Sequence, residues 1–138
     1  MKESQDQITK IIEWYHNIRK GYQDIALLID ARRKLSTLSF FFAEETGEVI
    51  RSFNECYFLR KTNQAKARLD AVAEGNPAGL AESMAEYRCA EYRRHESGAE
   101  GNKDRCRLIM NQINEVLSSM SQQIAFLRSE KEKSNYQK

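Results

Sequence analysis

With 138 residues, 30% charged and 41% hydrophobic, the chain is too apolar for a disordered polymer and too charged for a membrane protein. Its formal net charge of +2 is nearly balanced, so a nucleic-acid reading must rest on where basic residues cluster. Six Gly and one Pro are few helix breakers and, with abundant Glu, Lys, Arg, Gln, Leu and Ala, favour long helices over a strand-rich fold. No stretch approaches the roughly 18 uninterrupted apolar residues that span a bilayer. The longest apolar cluster, Phe40-Phe41-Phe42-Ala43, is followed at once by Glu44 and Glu45. The opening MKESQDQITK lacks the apolar stretch of a secretory signal, so the cytoplasm is the expected compartment and no membrane is expected.

In chain order, Ile8, Ile11, Tyr15, Ile18, Tyr22 and Ile25 step by three and four, beside Ile12 and Trp14. Gly21 either ends a first helix there or weakens one long helix by about 1 kcal/mol. A second stripe, Leu28, Ala31, Leu35, Leu38, Phe42, Glu45 and Val49, keeps the same alternation, and Ile50, Phe53, Tyr57 and Phe58 extend its apolar side. A third runs through Met110, Ile113, Leu117, Met120, Ile124 and Leu127, flanked by Ile109, Val116 and Phe126. A sustained three-four repeat is the seam of a left-handed coiled coil or a bundle. The last stripe with its flank is broader than one partner helix covers, which makes it the expected packing or oligomer seam.

Two breaks punctuate the pattern. At Glu74-Gly75-Asn76-Pro77-Ala78-Gly79, Gly75 can close one helix, Asn76 can cap the next and Pro77 suits its first turn. At Ser97-Gly98-Ala99-Glu100-Gly101-Asn102, two glycines and a capping Asn predict a hinge or loop. The expectation is a single domain over 1–138, with helices over about 4–20, 22–72, 77–97 and 102–132 and a frayed tail over 133–138. The fold class is all-α: a long-helix bundle with coiled-coil-like seams, expected to be oligomeric.

Cys56, Cys89 and Cys106 show no C-x-x-C spacing and no His at metal-ligand distance, so they read as ordinary free thiols. His16 and His95 form no recognisable nucleophile motif; His16 is expected to pack near Trp14 and Tyr15, and His95 to belong to a basic edge. No Gly-rich phosphate loop or Walker lysine is present. Within Glu44-Glu45-Thr46-Gly47-Glu48, the candidate metal ligands Glu44, Glu45 and Glu48 share a helix face suited to Mg²⁺. That run resembles the first half of the acidic motif of the all-helical nucleotide pyrophosphohydrolases. The second acidic pair, usually a Glu and an Asp spaced three apart, is missing: the residues that follow offer Glu55, Asp70, Glu74 and Glu82, with no such pair. No metal or cofactor is therefore expected, and the run reads as a solvated acidic face beside a register-setting Glu45.

The basic residues carry more. Arg32-Arg33-Lys34 lies within the second helix, and Arg60, Lys61, Lys66 and Arg68 gather near its end. Arg88, Arg93 and Arg94 follow, interleaved with Tyr87 and Tyr92, and Lys103, Arg105 and Arg107 come next. Cations that neutralise phosphates beside aromatic rings that stack on unpaired bases suit single strands better than duplex grooves. The competing reading is ordinary surface charge, with Glu82, Glu86, Glu91 and Glu96 available to pair at helical spacing. The candidate nucleic-acid set is Arg60, Lys61, Lys66, Arg68, Arg88, Arg93, Arg94, Lys103 and Arg105.

Three segments in order, Lys66-Ala67-Arg68-Leu69-Asp70, Glu86-Tyr87-Arg88-Cys89-Ala90-Glu91 and Gln122-Gln123-Ile124-Ala125-Phe126-Leu127-Arg128, resemble small helical phage proteins of the recombination-mediator (UvsY-like) type. The resemblance spans about residues 57–130. It implies a non-enzymatic, homo-oligomeric accessory protein of DNA recombination or replication, working in the host cytoplasm, that binds single-stranded DNA and helps load a recombinase. Carried over residue by residue, it assigns phosphate contact to Lys66 and Arg68, and also to Arg88. The alternatives are a helical protein-binding module, such as a phage inhibitor of a host defence protein, and, third, a magnesium-dependent nucleotide pyrophosphohydrolase.

Overall fold

The computed structural model describes residues 2–18, 21 and 24–136, which form four helices: α1 (Lys2–Ile18), α2 (Ile25–Ala73), α3 (Ala78–Arg88) and α4 (Ala90–Tyr136). No strand occurs among the described residues, so the all-α bundle is as the periodicity predicts. No helix among them is long and apolar enough to cross a membrane. Tyr22, expected in the first stripe, lies outside the described residues, as do 19, 20, 23, 137 and 138 of the expected helices and tail.

Gly21, at φ +77°, stands in the left-handed region, and α1 and α2 are separate helices rather than one long one. Asp24 then caps α2: its Oδ1 accepts the Leu27 N–H at 3.1 Å and its carbonyl the Leu28 N–H at 3.2 Å. The helix accordingly begins at Ile25, three residues beyond the expected start.

The turn after α2 differs in one detail from its sequence reading. Gly75, at φ +94°, donates to the Val72 carbonyl at 3.0 Å, and the Asn76 N–H reaches the Ala71 carbonyl at 3.2 Å. This is the Schellman pattern of a left-handed glycine closing a helix. Asn76 Nδ2 adds a second bond to the Ala71 carbonyl at 2.9 Å, so Asn76 closes α2 instead of capping α3. Pro77 takes the N-cap position of α3 in extended conformation, its carbonyl accepting the Ala81 N–H at 2.9 Å.

The hinge expected over 97–102 is not there. Gly98 and Gly101 keep helical backbone inside α4, and the interruption falls instead at Cys89, with φ −103° and ψ 16°. Hydrogen bonds Cys89 N to Ala85 O, 3.0 Å, and Arg93 N to Cys89 O, 3.1 Å, bracket that residue, so the deviation is confined to it. Tertiary contacts explain the continuity at the glycines: Glu96 and Lys103, on either side of them, both engage α2. The tail also departs from expectation, being helical to Tyr136.

The chain divides into two compact units: Met1–Glu45 with Arg107–Lys138, and Thr46–Cys106. The first unit buries Ile8 and Tyr15 of α1, Leu28, Leu35 and Phe42 of α2, and Ile113, Val116, Met120 and Ile124 of α4. The seven-residue steps of Leu28, Leu35 and Phe42 place them on one face of α2, and each such burial contributes roughly 1.5–3 kcal/mol. The Tyr15 hydroxyl stays satisfied within this core, 2.7 Å from Ser119 Oγ and donating to Gln123 Oε1 at 3.1 Å. The second unit buries smaller side chains: Ala71, Ala81, Ala85, Cys89 and Cys106. Its larger apolar residues include many that stay in solvent, among them Phe58, Leu59, Leu69, Val72, Leu80 and Tyr87.

Candidate nucleic-acid interface

All nine candidate cations belong to the second unit, and the fold sorts them by what they touch. Arg60 turns inward on α2. Its Nε donates to Glu96 Oε2 of α4, its Nη2 to Glu96 Oε1 at 3.1 Å and its Nη1 to Gln64 Oε1 at 3.2 Å. With side-chain exposures of 14% and 13%, Arg60 and Glu96 form a structural pair. The hydrogen bond from Arg60 holds the Glu96 carboxyl below its ordinary range against the opposing effect of burial, and the same bond raises Arg60. Arg60 is thus committed to α4 and withdrawn from any phosphate.

Two further arginines meet acids in solvent. Arg88 Nη2 lies 3.2 Å from Glu74 Oε2, tying α3 to the end of α2, and Arg94 Nη1 lies 3.0 Å from Glu91 Oε1. Exposed pairs of this kind are weak and can exchange for a phosphate. Two lysines rest on rings: Lys103 Nζ stands 3.9 Å from the centre of Phe53, and Lys61 Nζ 5.1 Å from that of Tyr57. Lys66, Arg68 and Arg105 are exposed and make no ion pair among the described residues, while exposed Arg93 helps Arg60 hold the Glu96 carboxyl low.

The geometry of α2 brings part of this set together. Phe58, Thr62, Ala65, Leu69 and Val72 follow a three-four spacing and form one stripe on an exposed side of the helix. Phe58 is 69% and Leu69 70% exposed. Lys61 and Arg68, seven residues apart, stand along one edge of that stripe, and Lys66 along the other. Lys61, Lys66 and Arg68 therefore share a surface with a bare phenyl ring. Of the tyrosines expected to stack on bases, Tyr87 is almost fully exposed and Tyr92 partly so.

The C-terminal seam, expected as a packing or oligomer surface, packs within the chain. Ile113, Met120 and Ile124 are buried and Met110, Leu117 and Leu127 half-buried, because α1 and α2 of the first unit cover them. The stripe packs inside the chain, and the apolar surface open to another molecule includes the Phe58–Val72 side of α2.

The acidic run does not gather into a site. Glu44 is exposed, Glu48 pairs with Arg51 at 3.2 Å, and half-buried Glu45 accepts a hydrogen bond from Ser4 at 3.4 Å. No three His, Cys, Asp or Glu side chains converge as metal ligands among the described residues. The three cysteines are free thiols, and His16 lies against Tyr15 with ring centres 6.3 Å apart. Local sequence reasoning grouped Arg32 and Arg33 as basic but named Arg128 only within the last resembling segment; the fold brings it to the same groove from α4. Only a long-range pairing of the α2 and α4 seams could have signalled it. No protein-family model, curated protein or solved structure matches the chain.

Proposed function

We propose that the chain is a non-enzymatic, phage-type accessory protein of DNA recombination or replication, working in the host cytoplasm as a homo-oligomer. In this reading it binds single-stranded DNA through basic helix surfaces and assists loading of a recombinase. The observation that carries it is the exposure of Lys66 and Arg68, without ion pairs among the described residues, along a stripe holding Phe58. Cations free of internal acids can neutralise phosphates, and an exposed ring beside them can stack on a base. Lys61, Arg93 and Arg105 add to the basic surface, whereas Arg60 serves the fold. Repetition in an oligomer would multiply weak phosphate contacts by raising their effective concentration.

The test is binding of a labelled single-stranded oligonucleotide across a salt series, with particle mass followed by light scattering. Salt-sensitive binding by an oligomer, abolished in the Lys66→Ala, Arg68→Ala double variant, is the expected result. Absence of binding at low salt would overturn the reading.

A second reading is favoured by the stripe itself. Leu69 and Val72 are aliphatic, exposed and at coiled-coil spacing, which suits an apolar helix of another protein, such as a host defence factor, better than a base. Association on that surface would change little with salt, whereas phosphate binding weakens steeply.

A further inference from the structure

The first unit holds a groove that the basic set above does not include. It lies between α2 and α4, has a volume of about 470 Å³, and is lined by Arg32 and Arg33 of α2 and Arg128 of α4. Ser36, Thr37 and Ser121 supply hydroxyls around them, and no acidic residue lines it. We propose that this groove binds phosphoryl groups, either successive phosphates of a nucleic-acid strand or a free polyphosphate anion.

Arg32 is built into the wall. Its Nε donates to Ser121 Oγ at 2.6 Å, and Ser121 donates its own proton to the Leu117 carbonyl at 3.0 Å. The serine oxygen is thereby a fixed acceptor that sets the guanidinium plane, leaving the terminal nitrogens of Arg32 as donors. Arg33 and Arg128 are exposed and meet no carboxylate among the described residues. The acids nearest them in sequence face lysines instead, Asp30 with Lys34 at 3.1 Å and Glu130 with Lys133 at 3.8 Å, both in solvent. Three guanidinium groups around one groove repel one another, and a dianionic or polyanionic ligand relieves that repulsion while accepting forked hydrogen bonds.

The surroundings extend the track. A neighbouring groove between α1 and α2 shares Arg33 and Thr37 with the first and adds Lys10 and Lys34. Cations thus run from Lys10 through Arg33 to Arg128, over a floor that includes Ile29 and Ile124. An apolar floor under a cationic rim suits a strand whose sugars and bases lie inward. The groove's chemistry does not depend on the α2 surface at Lys66 and Arg68, so it stands or falls separately from the reading above.

The experiment uses the full chain, an Arg33→Gln, Arg128→Gln double variant and the single Arg128→Gln variant, each checked for helicity by circular dichroism. Two probes are titrated: a single-stranded oligonucleotide across a salt series, and inorganic tripolyphosphate, read by thermal shift. If the groove takes a strand, the double variant binds the oligonucleotide more weakly. Its logarithmic salt slope then falls by about 1.4, at roughly 0.7 for each single-strand phosphate that is no longer neutralised. If it takes a free polyanion, tripolyphosphate raises the melting temperature of the wild type but not of the variants, whether or not the oligonucleotide binds. Unchanged responses of the variants to both probes would overturn the proposal, even with oligonucleotide binding that disappears on Lys66→Ala, Arg68→Ala.

Discussion

Arg60 of α2 and Glu96 of α4 are joined by a two-pronged ion pair across 36 residues of sequence, largely shielded from water. The pair fixes the register of the two helices in the second unit, because a guanidinium fork accepts a carboxylate in only a few orientations. It lies close to Gly98 and Gly101, where the chain has the least intrinsic reason to stay helical.

Acid should weaken this unit in a definable way. Glu96 titrates below its ordinary carboxylate range in the folded chain, held there chiefly by the hydrogen bond from Arg60. A depressed folded value means that the contribution is fully present above the unfolded carboxylate pKa and is lost as pH falls through the folded one. Denaturant midpoints measured from neutral to acid pH should therefore drop for the wild type. For Glu96→Gln they should start lower, reflecting a loss of about 1–2 kcal/mol of unfolding free energy, and show a shallower acid limb. An unchanged acid limb in that variant would remove the pair from the account.

The helical glycines offer the opposite kind of change. A Cβ added at Gly98 or Gly101 meets nothing within 4 Å, and neither residue has positive φ. Alanine at each site should stabilise the chain by about 0.5–1 kcal/mol, since it reduces the freedom of the unfolded chain without strain. Gly75 also faces open space but sits at φ +94°, so Gly75→Ala should destabilise. Thermal melts of the three variants check this, with Gly98→Ala and Gly101→Ala rising and Gly75→Ala falling.

These residues also show what the sequence could and could not reveal. Leu28, Leu35 and Phe42 recur at seven-residue steps and are buried, and Gly75 with Pro77 marks a real turn, because periodicity and backbone restriction are local properties. Gly98 and Gly101 misled for the complementary reason: local propensity favours a break there, and contacts of Glu96 and Lys103 with α2 outweigh it. The basic set was legible as a series of residues and no further. Whether an arginine is held by an acid, as Arg60 is, or left in solvent, as Arg68 is, depends on partners tens of residues away. Arg128 joins Arg32 through the same long-range pairing, which neither charge counting nor spacing contains.

The exposed stripe makes a prediction about assembly. Phe58 and Leu69 are each about 70% exposed, so replacing both with Ser removes no buried contact and should leave chain stability within about 0.5 kcal/mol. If copies associate through this side of α2, light scattering should report a fall to the 16.1 kDa of a single chain. The Met120→Ser change, at a fully buried seam position, should unfold the first unit instead of dissociating it cleanly. A variant Phe58→Ser, Leu69→Ser of unaltered mass would assign assembly to another surface.

The two cores should respond differently to changes in volume. Phe42 is fully buried among large side chains of the first unit, and Phe42→Ala should cost about 3–5 kcal/mol through the cavity it leaves. In the second unit the corresponding sensitivity is to addition. Ala81 and Ala85 of α3 and Ala71 of α2 are buried with no side chain beyond Cβ. Ala85→Leu inserts three further carbons at a position 1% exposed and should cost about 1–3 kcal/mol. Because Arg88, three residues on, bridges to Glu74, displacing α3 should also break that ion pair. Urea unfolding should show a lower midpoint for Ala85→Leu, and amide exchange should quicken along Ala78–Arg88. A midpoint equal to the wild type's would mean that α3 is free to move away from α2, and that the alanine packing is not what fixes it.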